Sequence, residues 1–186
     1  NCSSGLCAAS NEGAMDADET GEVLDARDAK RAEVLDIARH ELGAGRPELY
    51  WSDVLGADWK GPPPKHWCGA FCLWALHAAG LAKDVRWNVG LGFLEVHLSR
   101  SKVRPEDAKP GDICYFTRFQ HHALFAKLDE DVTVLVTIDG NQGAPNRVRQ
   151  QRRAVSSARA IYSIEKFLAA DTLPAPAIED DDDAQV

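Results

Sequence analysis

Cys68 is the first candidate for a reactive residue, because it begins the apolar segment CGAFCLWALHAAG. The apolar composition and the terminal Gly80 predict a buried helix that starts at Cys68. A thiol in the first turn faces the positive end of the helix dipole and unpaired backbone N–H groups, which favour the thiolate and can hold an oxyanion. A nucleophilic thiolate also needs a histidine as base and proton donor. An inert buried cysteine is the alternative interpretation.

Two histidines, His121 and His122, begin the run HHALFAKL. The run predicts a strand, and neighbouring residues on a strand point to opposite faces, so only one of the two is expected to face Cys68. Position alone does not choose between them. A polar surface pair is the alternative.

The segment TIDGN contains two polar residues that could serve as the third member of a catalytic triad, beside a cysteine and a histidine. Asp139 and Asn141 can each accept a hydrogen bond from an imidazole N–H and so fix the tautomer and orientation of a catalytic histidine. The same composition is also typical of a plain turn at the end of a strand.

The elements that position these residues follow an order of helices first and strands second. Hydrophobic spacing predicts a helix over Val23 to Leu42, and the prolines and glycines of residues 45–65 indicate an ordered loop with aromatic anchors. Strands are predicted at Asp112 to Phe116, His121 to Leu128, Val132 to Ile138 and Ala158 to Ile164. This order predicts an α+β fold in which N-terminal helices pack on an antiparallel β-sheet.

Four motifs together, WCGAF, KPGDICYF, QHHALF and TIDGN, resemble the CHAP family of cysteine, histidine-dependent amidohydrolases/peptidases. The similarity covers residues 31 to 167. It implies a papain-like fold, shared with NlpC-type relatives, and cleavage of amide bonds in bacterial peptidoglycan or in a peptide. The family chemistry needs no metal and no cofactor, and it implies a chain that is secreted or held in the cell envelope.

Carried over by position, Cys68 matches the family nucleophile. His121 matches the family pattern of a histidine followed by any residue, a small residue and two aliphatic ones better than His122, which stays as the alternative base. Where family members often carry Glu-x-Asn, this chain has Asp139, a glycine and Asn141, so either side chain is a candidate for orienting the histidine.

Three aromatic residues, Trp67, Tyr50 and Trp51, are candidates for the walls of a substrate cleft, because an aromatic residue beside the nucleophile is usual in the family. Packing in the core is the alternative for each.

The charge of the chain, −8, belongs to its two ends. Residues 1–22 hold five acidic and no basic residues, and residues 171–186 hold six acidic and no basic residues, which leaves 18 acids and 21 bases between them. We therefore predict a flexible acidic segment over 1–22, a CHAP-like catalytic domain over 23–170 and a disordered acidic tail over 171–186.

The five cysteines cannot all pair within the chain. Cys2 and Cys7 either close a small loop or stay as thiols. Cys72 and Cys114 are either a disulfide or two buried reduced thiols.

Two other kinds of site compete with the hydrolase interpretation. Cys68 and Cys72, together with the two histidines, include zinc-type ligands, but adjacent strand histidines diverge and suit a tetrahedral ion poorly. A catalytically inactive papain-like binding or scaffold domain is the second competitor.

Nucleic acid, a membrane and a second copy are not expected as partners. The basic cluster Arg147, Arg149, Arg152 and Arg153 has no interleaved aromatics and indicates a solvated strand edge or loop. The longest weakly polar run, residues 68–82, is shorter than the roughly 18 to 20 residues that a membrane span needs. We expect a monomer.

Overall fold

The computed structural model describes residues 17–56, 59–87, 92–117 and 120–171. Most of the two predicted acidic ends, together with Cys2 and Cys7, lies outside the described residues.

Four α-helices are described, α1 (Ala17–His40), α2 (Pro47–Leu55), α3 (Cys68–Ala78) and α4 (Glu165–Asp171). Helix α3 begins at Cys68 as predicted, and the chain leaves it through Gly80, which has a φ of 83°. Helix α1 begins six residues before the predicted Val23, so residues 17–22 of the segment predicted to be flexible are helical.

Helix α2 lies inside the segment that was predicted to be a loop, and that prediction was wrong for these nine residues. Pro47 occupies the start of the helix, where its missing N–H costs no hydrogen bond and its fixed φ suits helical geometry. The apolar side chains Tyr50, Trp51 and Val54 are buried, so tertiary packing stabilises this short helix.

The six described strands form one sheet in the order β1-β6-β2-β3-β4-β5, and every strand pairing is antiparallel. Their bounds are β1 Lys102–Val103, β2 Ile113–Phe116, β3 His121–Leu128, β4 Val134–Gln142, β5 Arg147–Ala154 and β6 Ala160–Tyr162. The prediction of an α+β chain with N-terminal helices and an antiparallel sheet is confirmed.

Strand β4 continues four residues beyond the predicted end at Ile138, so Asp139 and Asn141 belong to the strand. The register of β4 with β5 shifts between Asp139 and Gln142. Such an irregularity re-aims the side chains beside it. Strand β5, at one edge of the sheet, carries the basic cluster that was predicted to be a solvated strand edge or loop. The strand edge is observed, but Arg153 is mostly buried.

The two faces of the sheet bury different hydrophobic clusters. Leu124 and Ala126 of β3 pack into the larger cluster, which includes the buried side chains of α1, α2 and α3. Ala123 and Phe125 pack into a smaller cluster on the other face. Strand alternation therefore places His122 on the helix-facing side of β3 and His121 on the other side.

A buried ion pair joins α1 to the turn before β2. The guanidinium of Arg31 donates to Asp112 at 2.7 Å, and both side chains are almost completely buried. Asp112 also accepts the backbone N–H of Lys109 at 2.9 Å and that of Ile164 at 3.1 Å. Removing one partner of such a pair typically costs about 3 to 5 kcal/mol of stability, since the other charge stays buried. The Asp of the KPGDICYF motif thus stabilises the fold.

No helix among the described residues is long and apolar enough to cross a membrane.

Candidate active site

Cys68 is the first residue of α3, with Trp67 as the residue before it. The first intrahelical bond runs from the N–H of Phe71 to the carbonyl of Trp67, at 2.9 Å. The N–H groups that precede it, in residues 68–70, have no acceptor within the helix and point toward the space beyond its start. The Cys68 side chain therefore lies where a helix favours negative charge.

The thiol of Cys68 is acidic. Burial raises its pKa, but hydrogen bonding to His121 and His122, together with their charge, outweighs this effect and lowers the pKa to about 5. A thiol of this kind is a thiolate at neutral pH, which is the nucleophilic form.

His121 is held by Asp139 of the neighbouring strand. Its Nε2 lies 2.6 Å from Oδ2 of Asp139, and a carboxylate can only accept, so Nε2 carries the proton. Burial lowers the pKa of His121, but the bonds to Asp139 and Cys68 raise it to about 9. Between pH 5 and pH 9 the side chains of Cys68 and His121 are thus a thiolate and an imidazolium.

Asp139 is completely buried, and its two oxygens have several donors. Oδ1 accepts the hydroxyl of Thr137 at 2.5 Å, and Oδ2 accepts Nη2 of Arg153 at 2.6 Å in addition to His121. The carboxylate is therefore fixed in position, and through it the imidazole.

Two glycines allow the start of α3 to approach the sheet closely. A Cβ on Gly69 would lie 2.4 Å from Cη2 of Trp87 and 3.2 Å from Nδ1 of His122. A Cβ on Gly140 would lie 2.8 Å from both Cβ of Phe71 and Cζ3 of Trp67. A larger residue at position 69 would therefore collide with Trp87, and one at position 140 would require the start of α3 to move away from β4.

Both histidines lower the pKa of the Cys68 thiol, although alternation along β3 predicted that only one of them would face it. The start of α3 lies beside the first residues of β3, since a Cβ on Gly69 would come within 3.2 Å of His122. The two side chains differ in their other partners. His122 packs against Trp87, Phe93 and Tyr115, and its buried Nδ1 has no hydrogen-bond partner among the described residues.

A cavity of about 880 Å³ opens beside the thiol. Cys68 and His121 line it together with Asn141 and Arg153, and Lys65 adds another basic side chain. A volume of this size is typical of sites for small molecules or short segments of a polymer. The reactive pair is therefore placed where a substrate can reach it.

Asn141, the second candidate for orienting the histidine, lies in the cavity wall instead. Its φ of 62° is in the left-handed region, which Asn tolerates better than most residues. Its side-chain oxygen has no hydrogen-bond partner among the described residues. Of the two candidates that the sequence left open, Asp139 is the one bonded to His121.

The three aromatic residues predicted as cleft walls lie in the core. Trp67, Tyr50 and Trp51 are 2%, 0% and 3% exposed, and none of them lines the large cavity. Tyr50 packs against Trp67 with ring centroids 5.2 Å apart, and its hydroxyl donates to Glu41 at 2.7 Å. The prediction of a cleft role fails for Tyr50 and Trp51, because helix α2 turns both into the core. Trp67 borders a smaller neighbouring depression.

The other two described thiols are free, so Cys72 and Cys114 do not form a disulfide in this structure. Burial raises the pKa of both thiols, in contrast with that of Cys68. Within the described ranges, no three His, Cys, Asp or Glu side chains are grouped so that they could hold a metal ion.

Two residues of the site were not predicted from the sequence. Thr137 had no predicted role, and Arg153 was predicted to lie on a solvated strand edge or loop. Both side chains lie on the same face of the sheet as Asp139, where Arg153 pairs across the ladder with Leu135. The alternation in β4 places Thr137 beside Asp139, and that signal was present in the sequence. The role of Arg153 depends on the register in which β4 pairs with β5, and that register was not predicted from the sequence.

Comparisons with protein-family models, with curated proteins and with solved structures find no match to this chain. The function proposed below therefore rests on the arrangement of the site and on the motifs.

Proposed function

We propose that this chain is a cysteine-dependent amide hydrolase that acts through a thioester. The observation that carries the proposal is the linked set of Cys68, His121 and Asp139, in which an acidic thiol at a helix start interacts with an imidazole held by a buried carboxylate. Acyl transfer by a cysteine requires a nucleophile, a base and a third group that orients the base.

The first half of the reaction forms the thioester. The Cys68 thiolate attacks the amide carbonyl carbon, and the negative charge that develops on the carbonyl oxygen is stabilised by the N–H groups at the start of α3. With Nε2 donating to Asp139, Nδ1 is the nitrogen that delivers the proton of His121 to the leaving nitrogen. The carbon–nitrogen bond breaks, the amine departs, and His121 is neutral.

The second half releases the acid. Neutral His121 takes a proton from water, whose oxygen attacks the thioester carbon. The carbon–sulfur bond then breaks, the product leaves as a carboxylic acid that loses its proton to solvent, and the thiolate–imidazolium pair is restored. No metal or cofactor enters either half of this scheme.

For the substrate we propose bacterial peptidoglycan, or a peptide from it. The support is the resemblance of WCGAF, KPGDICYF, QHHALF and TIDGN to CHAP motifs, together with the helix-then-sheet order that a papain-like fold has. The same resemblance supports a monomer that works outside the cell or in its envelope.

Mass analysis of the fragments released from defined peptidoglycan tests this function. The wild-type protein is expected to create new amine and carboxylate ends that name the cleaved amide, and Cys68→Ala is expected to create none. Cys72→Ala, one helical turn further along α3 and absent from the cavity lining, is the matched control and should keep the activity.

Equal cleavage by wild type and Cys68→Ala would contradict the proposal. A wild-type protein that binds peptidoglycan without cutting any of several wall types would instead support the inactive binding domain.

A further inference from the structure

Arg153 has three contacts around the proposed catalytic group. Its Nη2 lies 2.6 Å from Oδ2 of Asp139, and its Nη1 donates to the hydroxyl of Thr137 at 2.9 Å. Its guanidinium lies over the ring of Phe116, 4.9 Å from the centroid. The side chain is 21% exposed, so these contacts hold a mostly buried cation.

Thr137 links these contacts into a closed set. Its hydroxyl donates to Oδ1 of Asp139 and accepts from Arg153, which itself reaches Oδ2 of the same carboxylate. Oδ2 of Asp139 is therefore held by Arg153 of β5 and Oδ1 by Thr137 of β4, and the carboxylate cannot rotate without breaking one of these two bonds. A planar guanidinium suits this geometry because its donors are fixed in a fork.

The charge of Arg153 also matters, because Asp139 is 0% exposed. A buried carboxylate needs a counter-charge. His121 supplies one only while it is protonated, and in the proposed reaction it gives its proton to the leaving amine. Arg153 is charged at every stage of that reaction, since a guanidinium does not lose its proton in proteins.

We propose that Arg153 is a positioning residue, which holds the Asp139 carboxylate in place and gives it a permanent counter-charge while His121 gains and loses its proton. This inference rests on the proposed function for its catalytic meaning, but its electrostatic part can be measured without any substrate.

The sign of the effect follows from the groups that face His121. Cys68 from α3 and Asp139 from β4 interact with His121 directly, and Arg153 from β5 reaches the same carboxylate. Lys65 and His66 line the same cavity. His121 and Arg153 each lie 2.6 Å from the same oxygen of Asp139, so their charges are close enough to repel. Removing the cation favours protonation of both His121 and Cys68, and we expect both to titrate at higher pH.

The test compares Arg153→Gln with the wild type by two substrate-free titrations, the thiolate absorbance of Cys68 and the NMR shifts of the His121 ring. We expect both titrations to move upward by about one pH unit in Arg153→Gln. The matched control is Arg152→Gln, the next residue on β5, whose side chain is 62% exposed and lies 3.9 Å from Asp129. It should leave both titrations unchanged.

If Arg153→Gln folds and its Cys68 and His121 titrate as in the wild type, the inference is overturned. The ion pair of Arg153 with Asp139 would then contribute to the strand edge alone. If Arg153→Gln does not fold, Arg153→Lys carries the test. A lysine keeps the positive charge but lacks the planar, forked set of N–H donors. We therefore expect Cys68 and His121 to titrate nearly as in the wild type, while kcat falls about tenfold or more. Unchanged kcat in Arg153→Lys would contradict the positioning role.

Steady-state kinetics separate positioning from substrate binding. A positioning residue lowers kcat with little change in KM, whereas a raised KM at constant kcat in either variant would show that Arg153 binds substrate from the cavity wall and would overturn the proposal. A wild-type Cys68 that titrates like an ordinary thiol would refute the proposed function itself. That result is distinguishable from an Arg153 effect, because it appears without any variant.

Discussion

Gly140 of β4 lies against Trp67 so closely that a Cβ at Gly140 would be 2.8 Å from Cζ3 of the indole. The next residue back along β4 is Asp139, and the residue after Trp67 is Cys68. The absence of a side chain at Gly140 therefore allows the segment that carries the thiol to approach the strand that carries the carboxylate.

Gly140→Ala is expected to reduce kcat/KM by at least about tenfold and to lower the melting temperature. The added methyl group requires the start of α3 to move away from β4, and small displacements of reacting groups cost large factors in rate. Kinetics and thermal unfolding of the purified variant measure the two effects. An active variant with wild-type stability would show that the contact does not set the geometry of the site.

His121→Ala is expected to abolish hydrolysis, whereas His122→Ala should retain a measurable fraction of it. Only His121 combines the interaction with Cys68, the hydrogen bond to Asp139 and a place in the cavity wall. His122 contributes to the acidity of the thiol from an aromatic environment, so its loss should raise the pKa of Cys68. Activity that disappears in His122→Ala and survives in His121→Ala would reverse the assignment.

Asp139→Asn is expected to lower kcat by about 100-fold or more and to move the titration of His121 to lower pH. The hydrogen bond and the charge of Asp139 both raise the pKa of His121, and the amide supplies no charge. NMR titration of the imidazole and kcat measurements across pH check both effects. Asn141→Ala is the comparison, because Asn141 makes no hydrogen bond to His121; a shift of the His121 titration in that variant alone would contradict the choice of Asp139.

The pH profile of kcat/KM is expected to be bell-shaped, with limbs near pH 5 and pH 9. Below the lower limb Cys68 is protonated and cannot attack, and above the upper limb His121 is neutral and cannot protonate the leaving amine. The profile is measured with a soluble substrate over pH 4 to 10. A rise that begins only above pH 8, as an ordinary thiol would give, would contradict the ion pair.

The sequence was sufficient to place Cys68 at a helix start and the two histidines at a strand start, because the helix is a long apolar run followed by Gly80 and the strand is a β-like run that begins at His121. It was not sufficient for α2, where nine helical residues lie between prolines and glycines and are stabilised by the burial of Tyr50 and Trp51. The family resemblance made these two residues candidates for the cleft wall, with core packing as the alternative, and they are buried in the core.

The third member of the site depended on features with no local signature. Asp139 and Asn141 are two residues apart, and the register of β4 with β5 shifts between Asp139 and Gln142. Arg153 reaches Asp139 across this pairing of two consecutive strands. A register shift of this kind cannot be read from the types of the residues around it.

The most direct test of the central claim is the ionisation of Cys68 in the free protein. The absorbance of thiolate near 240 nm is recorded against pH for the wild type and for Cys68→Ala, and the difference isolates this one thiol. We expect a single step in the difference near pH 5, as an ion pair with His121 requires. A step near pH 8.5, where an unperturbed cysteine titrates, would contradict the account.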